Sequence, residues 1–330
     1  MIDPRIFVFV LCGLILAVAG CGASTSEETP PPDAEPTAYV ATIPPFAMIL
    51  RPVVDGRATV TTLLSPGDSP HTHDLRPSDL RTVSGSRALF FGADALDGWA
   101  AQMPGAASIE LLGLLPSDAR LPFDLTGSAT PTGHHTTEEH AAGTHTHATD
   151  VDPHFWTDPT AVQALLPALT DTLCTLDAAG CSTYRANADS FATALAALDA
   201  HLQSTLAPVR HVPVLLAQPF FRYFLHRYGP TLTGVVSRSP AHDPSPRTVQ
   251  ARVRQAQADS VRVIFTQQAI APRAAEAVAE AASLSLHALD PLGGTAGRTT
   301  YADLLRWNAD RIRTVLAPYA RNAPVGSASE

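Results

Sequence analysis

The residues best suited to chemistry in this chain are histidines and carboxylates spaced so that a fold could converge them on one ion. His71 ends the run Pro66-Gly67-Asp68-Ser69-Pro70-His71, and His154 stands in Asp152-Pro153-His154-Phe155-Trp156. Gln218 and Asp290 each directly follow a short apolar run. Neutral imidazole and carboxylate are, after thiolate, the groups zinc takes most readily, and an amide oxygen can also coordinate a divalent ion. A second accumulation lies between 134 and 147, where His134, His135, His140, His145 and His147 are joined by Glu138 and Glu139. Its Gly, Thr and Ala composition reads as a loop over 127–150 carrying weak, exchangeable metal sites rather than a folded cage. Imidazole titrates near neutrality, so such sites should lose affinity steeply as pH falls towards about 5.5. His201, His211, His226, His242 and His287 read as surface or structural histidines.

The elements that must position these donors follow from the apolar pattern. Strand-like runs at 39–43, 59–64, 88–92 and 108–112 form one group of four, and those at 214–217, 232–236, 261–266 and 285–289 form another. Helical stretches such as 251–258 and 272–282 lie between them, and strand–helix alternation points to parallel sheets covered by helices. Open α/β sheets bind ligands beyond the carboxyl ends of their strands, where His71, Gln218 and Asp290 fall. Between the two groups, Tyr184, Phe191, Leu195, Leu198, Leu202 and Leu206 recur at helical spacing without Gly or Pro. At ~1.5 Å per residue this segment would reach about 36 Å, a stiff strut along both lobes. Asp158 before Pro159 is an N-cap signature for a further helix, and Pro167 inside it predicts a kink. The fold class is therefore α/β, with two lobes, each a four-stranded mainly parallel sheet flanked by helices, joined by one long rigid linker helix. The expected divisions are a first lobe over 38–182, the linker over 183–207 and a second lobe over 208–324.

Composition narrows the function classes. A net charge of −9, with all 22 basic residues Arg, offers no basic patch for nucleic acid. The apolar run 6–20 behind Arg5 is short for a membrane span and reads as a secretory signal over 1–20. It closes on Val18-Ala19-Gly20-Cys21, which resembles a bacterial lipobox and implies lipidation of Cys21. The Ser-, Thr-, Glu- and Pro-rich residues up to 37 read as a disordered tether. The expected location is the periplasm or outer face of the cell membrane, held through the lipid alone. Cys174 and Cys181 can close a small disulfide loop in such an oxidising compartment, the alternative being two free buried thiols.

Four motifs resemble the zinc and manganese solute-binding proteins of bacterial ABC importers, the ZnuA/TroA-like periplasmic metal-binding family. They are the run ending at His71 with Arg76-Pro77-Ser78-Asp79, the stretch Asp152 to Pro159, Tyr223-Phe224-Leu225-His226-Arg227-Tyr228-Gly229, and Leu289-Asp290-Pro291-Leu292-Gly293-Gly294. They stand in family order over nearly the whole mature chain. The resemblance implies an ion held between two lobes, with His71 and His154 as ligands from the first and Asp290 from the second. It implies a monomer that performs no chemistry and delivers its ion to a permease with a cytoplasmic ATPase. One position departs from the pattern: the third family ligand, His or Glu, falls at Gln218. Gln267 likewise stands where many relatives have Glu. Gln218 could ligate weakly, water could fill the corner, or His73 could substitute. The His ligands and His-rich loop favour Zn2+ over Mn2+ or Fe2+, which leaves a manganese or iron binder as the alternative. A metal-buffering adhesin could use the same fold. A zinc hydrolase is disfavoured because there is no His-Glu-x-x-His helix.

Overall fold

The computed structural model describes residues 37–123, 151–238, 244–267 and 273–320. The signal region, Cys21, His242 and the five histidines of the 127–150 segment lie outside the described residues.

The first sheet is built from β1 (Thr37–Ala41), β2 (Ala58–Thr62), β3 (Ala88–Phe91) and β4 (Ala107–Glu110), all parallel in the order β2-β1-β3-β4. β3 reads Ala-Leu-Phe-Phe and is buried at every position, as a central strand covered on both faces must be. β2 alternates between half-buried and exposed, in keeping with its place at the edge. Four helices accompany these strands: α1 (Pro44–Val54), α2 (Pro77–Ser84), and the single turns α3 (Asp94–Asp97) and α4 (Leu111–Leu114). α1 carries Pro at its first position, where the missing N–H costs nothing, and is buried along most of its length.

Two long helices follow. α5 (Pro159–Leu176) is capped by Asp158, whose carboxylate accepts from the Thr160 N–H at 2.8 Å. It runs through Pro167 as one helix. α6 (Cys181–Leu206) is the expected strut, two residues longer at its start. It buries Tyr184, Ala188, Leu195, Leu198, Leu202 and Leu206 on one stripe. Half-buried Phe191 completes that stripe, edge-on to the ring of Tyr301 at 6.4 Å. The Asp177 carboxylate fixes the start of α6, accepting from Arg57 at 2.8 and 2.9 Å and from the Tyr184 hydroxyl at 2.7 Å. Hydrogen bonding to Arg57 holds that carboxyl well below the usual carboxylate range. Cys174 and Cys181 are disulfide-bonded across the same corner, with Cα atoms 4.6 Å apart.

The second sheet repeats the first. β5 (Pro213–Leu216), β6 (Thr231–Val235), β7 (Val263–Gln267) and β8 (Ser285–Leu289) are parallel in the order β6-β5-β7-β8. Their helices are α7 (Arg222–Tyr228), α8 (Pro246–Ala258), α9 (Arg273–Ala282) and α10 (Tyr301–Leu316). α6 packs against α1 on the first-lobe side and α10 on the second. One apolar core runs continuously from Tyr39 and Phe46 through Trp156, Leu195 and Leu202 to Phe221 and Ile312. The lobes therefore share a core instead of being hinged on an exposed linker. No helix among the described residues is long and apolar enough to cross a membrane.

Candidate metal centre

Each sheet delivers its polar residues at the carboxyl ends of its strands, and the two rims meet. From the first lobe comes His71, on a short turn (Pro70–Thr72) beyond β2. The indole N–H of Trp99 donates to the Pro70 carbonyl at 2.9 Å and steadies this turn. The His71 ring shares its side of the cleft with Ala95 on α3. α3 is held in turn by fully buried Asp97, which accepts from the Thr42 hydroxyl at 2.5 Å and from the N–H groups of Gly92 at 2.9 Å and Ala93 at 3.1 Å. Gly92 is obligatory here, because a Cβ would stand 2.7 Å from Leu96 and Phe46. Burial foremost, with a smaller contribution from neighbouring His154 and an opposing one from the Ala95 backbone, pushes the His71 imidazole down to about 4. It is therefore neutral at pH 7, with a lone pair free for a cation.

His154 is buried and oriented more firmly. Its Nδ1 lies 2.7 Å from Asp152 Oδ1, which also accepts the His154 backbone N–H at 3.0 Å. The other Asp152 oxygen accepts from Arg222 Nη1 at 2.9 Å. A carboxylate at Nδ1 fixes the proton there and leaves Nε2 as the donor atom, the arrangement by which metal-ligating histidines are set. The two imidazoles stand with centroids 6.0 Å apart.

The second lobe contributes amides. Gln218 follows β5, is 3% exposed, and its Nε2 has no hydrogen-bond partner among the described residues. The unpaired atom is an N–H donor, so a metal ion would be met by the amide oxygen of Gln218 and not by this nitrogen. Half-buried Gln267 ends β7. His71, His154, Gln218, Gln267, Arg238 and Phe220 share the lining of one cavity of about 310 Å³. Two imidazoles and two amides form a donor set that suits a divalent cation of borderline softness.

The other sequence candidates lie elsewhere. The His73 Nε2 pairs with Asp79 Oδ2 at 3.0 Å, and its ring lies tilted against that of Trp99 with centroids 4.8 Å apart. Asp79 also accepts the Arg76 N–H at 2.9 Å, so His73 is tied to the start of α2. The Asp290 carboxylate accepts from the N–H groups of Leu292 and Gly293 through Oδ1, while Oδ2 pairs with Arg298 Nε at 2.8 Å. Among the described residues, no three His, Cys, Asp or Glu side chains gather as a metal cluster. His201, His211 and His226 are exposed, and His287 is half-buried on β8.

Sequence reasoning gave no role to Asp152, Arg238 or Arg298. The Asp152-x-His154 spacing is a local signal for a carboxylate behind a histidine. Arg238 and Arg298 carried none, because their positions depend on how the turns beyond β6 and β8 close.

The family described as zinc-uptake complex component A, periplasmic, matches residues 40–315. The high-affinity zinc uptake system protein ZnuA of Paracoccus denitrificans is 30% identical over 300 residues, covering 84% of this chain and 90% of that protein. The manganese-binding lipoprotein MntA of Halalkalibacterium halodurans is 22% identical over 314 residues, covering 92% and 96%. Among solved structures, the periplasmic zinc binding protein TroA from Treponema pallidum superposes with a TM-score of 0.68 at 19% identity, covering 85% of this chain and 99% of that one.

Proposed function

This chain belongs to the ZnuA family of periplasmic metal-binding components, which work with an ABC permease and ATPase, and we propose that it captures Zn2+ for such an importer. The observation that carries this reading is the pair of imidazoles, His71 and His154, with centroids 6.0 Å apart on the wall of one cleft that Gln218 also lines. In the proposed complex His71 and His154 bind the ion first, and Gln218 supplies its amide oxygen. Asp290 completes the set as the anionic donor, and His73 stays with Asp79. The acidic balance of the chain favours cation approach. Cys21 carries a lipid that holds the protein at the membrane surface, and the histidines of 134–147 collect zinc for the cleft.

Manganese is the second reading, favoured by the oxygen donors of Gln218 and Gln267 and by the similarity to a manganese-binding lipoprotein. Competition titration with both ions separates the two. Zinc bound more tightly than manganese, and lost in H71A and H154A, supports the proposal. Tighter manganese binding overturns the choice of ion, and undiminished zinc binding in both variants overturns the site.

A further inference from the structure

We infer that Arg298 is an internal competitor for the metal, holding the ligand oxygen of Asp290 until an ion displaces it. The inference rests on the proposed ligand role of Asp290. The geometry around that residue leaves one exchangeable atom. Its backbone is clamped to Asn308, whose Oδ1 accepts the Asp290 N–H at 2.9 Å and whose Nδ2 donates to the Asp290 carbonyl at 2.7 Å. Oδ1 is taken by the N–H groups of Leu292 and Gly293 at 3.0 and 2.9 Å. Oδ2 alone remains, and the Nε of Arg298 sits on it at 2.8 Å.

Arg298 is itself placed with care. Its guanidinium lies over the Trp307 ring at 4.2 Å, and its Nε and Nη2 both reach Thr295 Oγ1, at 3.1 and 2.7 Å. Its carbonyl accepts the Gly294 N–H at 2.9 Å, and Gly293, Gly294 and Gly297 all adopt positive φ, as so tight a turn requires. The turn also touches both histidine segments. A Cβ on Gly294 would stand 2.9 Å from Pro66, five residues before His71. The Pro291 carbonyl accepts the indole N–H of Trp156 at 2.8 Å, two residues beyond His154.

Arg298 and Asp290 are both buried, at 9% and 7% exposure. Removing one partner of such a pair strands the other charge in a poorly solvated place. For Asp290 the stranded charge is a carboxylate, and a divalent ion is its natural replacement partner. Binding therefore exchanges a guanidinium–carboxylate contact for a metal–carboxylate bond, and Arg298 weakens affinity while speeding release. The planar fork and the stack on Trp307 are specific to Arg, so Lys should hold the carboxylate less well.

The test is zinc affinity and dissociation rate, by chelator competition, in the wild type, R298Q, R298K, D290N and the double variant D290N/R298Q. The expected result is at least a tenfold gain in affinity and slower release in R298Q, with R298K between it and the wild type. Substituting position 298 should make no difference once Asp290 is Asn. This dependence on Asp290 is a coupling that a merely structural Arg298 would not show. Equal or weaker zinc binding in R298Q, or the same change with and without the Asp290 carboxylate, overturns the inference. Should R298Q not fold, R298K carries the affinity test. The double variant, which leaves no buried charge, then carries the comparison with D290N. Loss of zinc binding in H71A or H154A reports on the site itself, so the failure of one reading is distinct from the failure of the other.

Discussion

The two rims of the cleft are prepared to different degrees. On the first, the His71 imidazole is neutral, and His154 has its Nδ1 side fixed by Asp152, which Arg222 holds from the second lobe. On the second, Gln218 and Gln267 are uncharged, and Asp290, just beyond β8, is already satisfied by Arg298 and two backbone N–H groups. The comparison teaches that preorganisation and charge have been divided between lobes. The first supplies directed lone pairs at no further cost, and the second supplies a negative charge only by exchange. Such a division suits a protein that must both hold and release an ion, because an all-anionic rigid site would release slowly.

The contrast breaks most visibly at the histidines. If ~12 kcal/mol of zinc binding is shared over four donors, H154A should lose about 3 kcal/mol, or roughly 100-fold in affinity by competition titration. H71A should behave alike. Next in size is D152N, which frees the Nδ1 side of His154 and leaves Arg222 without its carboxylate; a loss of about 10–100-fold is expected by the same titration. Giving the second rim a permanent charge should work the other way. Q218E replaces an orphaned amide by a carboxylate and should tighten zinc about tenfold, bringing that rim nearer to the first.

A pH effect follows from His71, with its sign set by the depressed value of about 4. An unfolded chain would protonate this imidazole near pH 6.5, whereas the fold refuses the proton until about pH 4. The unfolded state therefore binds more protons between those values, and metal-free stability should fall as pH drops through that window. Urea unfolding at pH 7 and pH 4.5 should show a smaller loss for H71N than for the wild type. The smallest effect on the cleft should come from removing the Cys174–Cys181 bridge. Closing so short a loop stabilises the fold by about 2–3 kcal/mol, yet zinc affinity should stay within a factor of two.

Much of this architecture was legible because its signals are local. Strand runs of alternating or continuous apolar residues fell within a few residues of β1 to β8. The Gly- and Pro-free heptad-like spacing from Tyr184 to Leu206 gave the strut, and Asp158-Pro159 gave a cap whose carboxylate accepts the Thr160 N–H. At the site, His71 and His154 could be found from position beyond a strand and from motif. What escaped was pairing across turns. Nothing in the spacing of Asp290 and Arg298 says that a three-glycine turn folds the guanidinium back onto the carboxylate. His73 looks like a spare ligand in the sequence because the spacing does not show that its ring pairs with Asp79 and lies against Trp99. Side-chain ion pairs are decided by rotamers and turn closure, which sequence spacing does not encode.

The division of the cleft is tested most directly by zinc titration of the full chain with His134, His135, His140, His145 and His147 replaced by Asn, so that only the cleft reports. One zinc ion should bind per chain, vanish from the tight range in the H71N/H154N variant, and persist more weakly in D290N. Tight binding that survives loss of both histidines, or that disappears only with Asp290, would contradict an ion captured first by the first lobe.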